Sequence, residues 1–341
     1  MPIKKRVVLI RKIEKQRNTR LISYLTGDRQ PFATRIADDV IPLLKQHLQK
    51  IGFSKKISLF LYTRGGDMLT PLRLVKLIRN YCDYFEVIVP YRAHSAGTLI
   101  ALGADNVVMG KMSELSPIDP TTGHPYNPKN QINPNQLMEI SVEDFNSYFL
   151  FAKEKLGIKN NQMENLYTNL SKDLHPLAIG NVYRGYRMVK MLGERLLKIH
   201  MHSKTDTPKI EKIINNLTNL ICIHHYPITA DEAKEMGLKV EKLENKDEKV
   251  IEQLYENYAQ EMNIENPFNA IKELGDSNEK DFSYHSAYLE SKGVSNVFVF
   301  RGKLQKIQQS AVPLQAAVPL QVAGQINVNI NIQSQGWEGS Q

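Results

Sequence analysis

Two short stretches of this 341-residue chain carry residue types suited to acyl transfer. Thr63-Arg64-Gly65-Gly66-Asp67 follows the apolar run Ile57–Tyr62, and Tyr91-Arg92-Ala93-His94-Ser95-Ala96-Gly97-Thr98 follows Phe85–Pro90. Glycines at the carboxyl end of a buried strand leave backbone N–H groups uncovered, as an oxyanion hole requires. The same pair also suits a plain strand-to-helix turn with positive φ. Phosphate is poorly served, because no GxGxxG is present and Asp67 would repel an anion. Ser95, with small neighbours where a helix begins, has the surroundings of a nucleophile elbow. It has equally the surroundings of a helix N-cap. The glycine pair on the preceding strand-turn-helix unit adds weight to the nucleophilic reading.

A nucleophilic serine needs a base, and histidine suits that task because it titrates near neutrality. His224-His225 stand late in the chain; His94 is beside the serine and His124 lies beyond it. Lys111 and Lys153 are the candidates if the base is an amine. Asp119, in Ser116-Pro117-Ile118-Asp119-Pro120, is held between two prolines that stiffen its loop. An aspartate before proline is also an ordinary turn former. The two cysteines, Cys82 and Cys222, exclude a disulfide scaffold and a paired-cysteine zinc site. This chemistry calls for no metal or organic cofactor.

The elements that must position these residues alternate. Arg20–Leu25, Ile57–Tyr62, Phe85–Pro90 and Asn106–Met109 read as strands, separated by helical stripes over Ala33–Ile51, Leu69–Tyr81 and the segment after Ser95. That order predicts an α/β fold, a mostly parallel sheet with crossover helices. Pro117–Pro134 is rich in Pro, Asn and Gly and reads as a surface excursion. Ser141–Leu156 opens with a Ser141…Asp144 capping box, a helix spans Asn181–Ile199, and Ile228–Leu238 has Thr229 as N-cap with Gly237 at its stop. Residues 1–242 form the expected catalytic domain. Residues 243–307 read as an extension, acidic and helical to 275 and stranded over 282–306. Residues 308–341 repeat AVPLQ and read as a disordered Gln-rich tail; Gln325–Ile332, alternating at period two, could instead form a lone strand pairing in an oligomer.

Most of the net charge of +8 sits in the first twenty residues, where eight basic side chains meet Glu14 alone. This reads as a solvated amphipathic helix. Without interleaved aromatics it is no specific nucleic-acid arm, and peripheral membrane contact through it is the lesser reading. No run of 18 apolar residues could span a bilayer, and Val7–Ile10 is too short for a signal-peptide core. The expected location is the cytoplasm.

Taken in order, FLYTRGGD (60–67), VPYRAHSAGTLIALGADNVVMG (89–110), ELSPIDP (114–120), HPLAIGNVYR (175–184) and YPITADEAKEMGL (226–238) resemble the Clp-fold serine proteinases. More narrowly they resemble the serine dehydrogenase proteinases, relatives of the signal peptide peptidases, over about residues 5–305. The resemblance implies a Clp/crotonase superhelix of ββα units. It also implies Ser95 as nucleophile, Gly66 as oxyanion glycine, Ala96 N–H as second donor, a peptide or protein substrate, and a homo-oligomer. Clp proteases carry a histidine about 25 residues after the serine, where this chain has Asp119-Pro120. Their later aspartate falls near Ile221–His225 here. One consistent reading exchanges the partners, His224 becoming the base and Asp119 its orienter. The alternatives are a crotonase-like acyl-CoA enzyme using the same hole, and an inactive oligomeric scaffold.

Overall fold

The computed structural model describes residues 2–118, 121–131, 133, 135–220, 226–307 and 327–340. Helix α1 (Pro2–Arg17) leads into β1 (Arg20–Thr26), α2 (Val40–Ile51), β2 (Ser54–Tyr62), α3 (Thr70–Arg79) and β3 (Cys82–Val89). Then come β4 (Arg92–Ala93), α4 (Ala96–Leu102), β5 (Asn106–Met109) and β6 (Glu114–Leu115). The pair β7 (Thr121–Thr122) and β8 (Ile140–Ser141) brackets the Pro- and Asn-rich excursion. Helices α5 (Val142–Glu154), α6 (Met163–Asp173), α7 (Pro176–Leu197), α8 (Thr207–Asn215) and α9 (Ala230–Met236) precede β9 (Val240–Lys242). The chain closes with α10 (Asn245–Met262), α11 (Ala270–Leu274), β10 (Glu279–Ser291), β11 (Val294–Ile307) and β12 (Asn327–Ser340).

The strands order as β12-β11-β10-β1-β2-β3-β5-β9. From β1 to β9 the pairing is parallel, and β10, β11 and β12 add antiparallel at the other edge. Val87, Ile88 and Val89 of β3 have no solvent exposure, as expected of a strand covered on both faces. One core layer packs α2, α3, α4 and α7 on the sheet through residues such as Leu44, Leu74, Leu99 and Leu196. The opposite layer packs α1 and α10 through Ile10, Ile13, Leu254 and Tyr258.

A second, minor sheet gives the fold its ββα grammar. Strands β4 and β6 turn off the main sheet and pair in parallel, Arg92 opposite Glu114 and Ala93 opposite Leu115. Single bridges extend it from Thr63 to Ala93 and from Leu115 to Ile228. Strands β2, β3 and β5 therefore each continue into a short second-layer segment, and those after β2 and β3 carry the turn residues of the site.

Four expectations are corrected. Helix α2 begins at Val40 rather than Ala33, because Ile36 is held extended: its N–H donates to Gly65 O at 2.9 Å and its carbonyl accepts from Asp67 N at 2.8 Å. The segment after 242 is woven into the same sheet, β10 lying against β1 and α10 against α1. The tail divides: 308–326 lie outside the described residues, whereas Asn327–Ser340 forms β12. There the Trp337 ring meets Phe298 edge-on at 5.5 Å, and its Nε1 donates to Asp39 Oδ2 at 3.0 Å. Finally, part of the basic stretch is internal. Arg6 is buried against Glu290, Glu261 and Asn257, and Arg17 forks onto Glu86. A buried guanidinium with matched carboxylates ties the first helix to β10 and β3, so these two cations are not surface charge.

Candidate active site

Ser95 occupies the N-cap position of α4 but caps nothing: its side chain accepts no N–H from the helix, and its backbone sits at φ 51°, ψ −110°. That region excludes most L-residues and costs roughly 1–3 kcal/mol. An ordinary capping serine lies in the β region and bonds N2 or N3, as Ser141 does here, accepting from Asp144 N at 3.1 Å. The strain is held in place by three contacts. Ser95 N donates to Ser116 Oγ at 2.8 Å, Gly97 N donates to His94 O at 2.8 Å, and His94 N donates to Thr63 O at 3.1 Å. Ser95 Oγ lies 3.8 Å from Met68 Sδ.

The two glycines do different work. A Cβ on Gly65 (φ 105°) would come within 2.9 Å of Ser95 Cβ and 3.3 Å of Ala96 N, so its bareness lets the two turns meet. A Cβ on Gly66 (φ 152°) would strike the backbone of Ile36, 2.2 Å from its carbonyl oxygen. Because Gly65 O and Asp67 N both face Ile36, the Gly66 N–H points to the other side of the segment. Among the described residues neither Gly66 N nor Ala96 N donates a hydrogen bond.

Thr98 and Ser116 lash the loop after β6 to this turn. Thr98 Oγ1 donates towards Ala93 O and Ser116 O, at 2.8 and 2.9 Å, and accepts from Ser116 N at 3.0 Å. Sequence reasoning quoted Ser116 without giving it this role, since only the tertiary fold shows which backbone N–H a serine hydroxyl receives. Asp119 and His224 lie outside the described residues. Their flanks do not: Leu115 and Ile228 exchange two hydrogen bonds of 3.0 Å, and Ile118 N donates to Leu217 O at 3.1 Å.

The other candidate bases are placed individually. His94 Nε2 stands 3.0 Å from Glu114 Oε1, and burial raises the Glu114 carboxyl while Arg92 and Arg64 pull it down. Lys111 faces α10, its Nζ 3.0 Å from Asn245 Oδ1 and 3.3 Å from Glu248 Oε2. Lys153 is exposed on α5, and His124 lies in the excursion beside Tyr126. No group of three or more His, Cys, Asp or Glu among the described residues could hold a metal ion.

A strained serine at a strand-to-helix turn, packed against a glycine pair at the carboxyl edge of a parallel sheet, makes this a candidate acyl-transfer site. Residues 1–175 match the ClpP-like SDH-type serine proteinase family, slightly more than half of the chain, and the chain belongs to that family. An uncharacterized protein of Methanocaldococcus jannaschii is 32% identical over 187 residues, covering 55% of this chain and 54% of its own, so the chain spans about half the length of that relative. A second uncharacterized protein of the same organism is 29% identical over 249 residues, covering 70% and 72%. Among solved structures, the 1510-N membrane-bound stomatin-specific protease with a substrate peptide is 16% identical with a TM-score of 0.37, covering 67% of this chain and 78% of that one. ClpP1 from Listeria monocytogenes is 14% identical with a TM-score of 0.35, covering 70% and 98%. No helix among the described residues is long and apolar enough to cross a membrane.

Proposed function

We propose that the chain hydrolyses peptide or protein amides through an acyl-enzyme on Ser95. The observation that carries this reading is the Ser95 backbone: strain at a serine that caps nothing is the kind stored at functional turns, and it leaves Oγ free of the helix, 3.8 Å from Met68 Sδ. Oγ attacks the scissile carbonyl carbon as the base takes its proton. The oxyanion formed receives Gly66 N–H and Ala96 N–H, and each such donor is worth ~100- to 1000-fold in turnover. Collapse returns the proton to the departing amine, and water then hydrolyses the ester by the reverse path.

For the base we assign His224, oriented by Asp119. The support is topological: the strap leading to Asp119 is bonded at Leu115 to Ile228 and at Ile118 to Leu217, on either side of His224, and at Ser116 to Ser95 N. A second reading takes His94, favoured by its 3.0 Å approach to Glu114. A fluorophosphonate probe tests the nucleophile, with labelling expected on the wild type and absent in Ser95→Ala. His224→Ala and His94→Ala separate the two bases, because members of one catalytic unit each cost nearly as much as the whole. Unlabelled wild type would leave an acyl-CoA enzyme or an inactive scaffold.

The homo-oligomer belongs to this proposal. Leu150, Phe151, Leu177 and Tyr183 of α5 and α7 are 46%, 56%, 57% and 60% exposed, a face that a second copy would cover. Native mass spectrometry of the full chain tests it, and a monomer at micromolar concentration refutes it. The reduced-cysteine composition supports a cytoplasmic location.

A further inference from the structure

The amino end of the parallel sheet, opposite the edge that carries Ser95, presents a different surface. Arg11 and Lys15 of α1, Arg20 at the start of β1, and Lys55 at the start of β2 line one shallow concavity together with Phe53. All four cations are exposed, and among the described residues none of them pairs with a carboxylate. The one acidic residue in the lining, Glu14, is buried and accepts the Leu21 N–H at 3.1 Å. Phe53 is 68% exposed, on the short turn between α2 and β2. Arg6, Arg17, Lys56, Arg79 and Arg92, by contrast, each meet a carboxylate. Four cations with no carboxylate partner among the described residues thus surround a protruding aromatic ring.

We propose that this surface docks on an anionic phospholipid bilayer, with Phe53 entering the headgroup region and Ser95 facing away from the lipid. Positive charge within a Debye length, about 10 Å at 0.1 M salt, is drawn to acidic headgroups. A single apolar ring adds affinity only if it leaves water, and the interfacial layer provides that. One ring is too few to stack successive bases, which is why a bilayer accounts for the patch better than a nucleic acid. The surface owes nothing to the catalytic assignment and stands whether or not Ser95 is a nucleophile.

Flotation of the full chain with vesicles tests this, comparing phosphatidylcholine alone with phosphatidylcholine containing phosphatidylserine. Binding is expected only to the acidic vesicles, with release at high salt. Lys15→Ala and Lys55→Ala should each lower partitioning about fivefold, and Phe53→Ser should lower it about tenfold without changing the salt dependence. These side chains are exposed, so an unchanged melting temperature shows that the fold is intact. Equal binding to both vesicles, no binding, charge variants that bind as wild type, or displacement by a single-stranded oligonucleotide that binds more tightly would each overturn the proposal.

Discussion

Replacing Gly66 by alanine tests the hole and the loop behind it together. The added Cβ would sit 2.2 Å from Ile36 O, 2.6 Å from Ile36 N and 2.9 Å from Ile36 C, all backbone atoms that cannot rotate aside. Restoring an ordinary contact of 3.4 Å needs a shift of 3.4 − 2.2 = 1.2 Å. That shift would stretch the Asp67 N to Ile36 O bond from 2.8 Å to as much as 4.0 Å and strain the 2.9 Å bond from Ile36 N to Gly65 O. Two hydrogen bonds at about 1 kcal/mol each, plus about 1 kcal/mol for alanine at positive φ, sum to roughly 3 kcal/mol. At roughly 2–4 °C per kcal/mol for a large domain, the melting temperature should fall by about 6–12 °C. Fluorophosphonate labelling and peptidase turnover should fall by ~100-fold or more as the N–H swings away. Calorimetry and a labelling time course check the two arms. A variant that melts within a degree or two of wild type would show that Ile36 does not back this glycine. One that melts early yet labels at the wild-type rate would remove Gly66 from the oxyanion hole.

Ser95→Gly and Ser95→Ala should both abolish labelling, yet the glycine variant should be more stable than the alanine variant by about 1 kcal/mol, strain relief exceeding glycine's extra chain entropy; equal denaturant midpoints would refute the strain. His47, with ring nitrogens 2.7 Å from Ser291 Oγ and 2.9 Å from Asn296 Oδ1, has its pKa lowered by burial, with Glu290 opposing and Lys50 reinforcing. The unfolded chain therefore takes up this proton first, so the His47 contribution is intact above about pH 6.5 and is lost on acidification below it. His47→Gln should flatten the fall in melting temperature between about pH 7 and 5, and unchanged slopes would exclude His47 as its source. Deleting 308–341 should bare the β11 edge and free Asp39 from Trp337, lowering the melting temperature and promoting aggregation visible by light scattering; an unaltered, monodisperse protein would mean β12 contributes nothing.

The alternation of strands and helices, the caps at Ser141 and Thr229, and the stop at Gly237 were legible in the sequence because each depends on neighbours a few residues away. Ser95 and Gly66 were legible as candidates for the same reason: a small-residue turn after an apolar strand is a local pattern. Whether Ser95 caps its helix or is strained out of capping was not, since its φ is imposed by Thr63 and Ser116 from other ββα units. Asp119 and His224 rest on spacing and resemblance, and the described structure reaches only their flanks. Only the tertiary structure decided that Arg6 and Arg17 are internal while Arg11 and Lys15 are not. A helix period assigns faces, but the carboxylates that claim a cation, Glu290 and Glu86, come from strands far along the chain. The tail makes the same point. Period-two alternation offered a strand over Gln325–Ile332 beside the disordered reading, and Asn327–Ser340 becomes one because β11 offers an open edge and Phe298 a surface for Trp337. Edges and distant partners are properties of the assembled sheet, which no window of sequence contains.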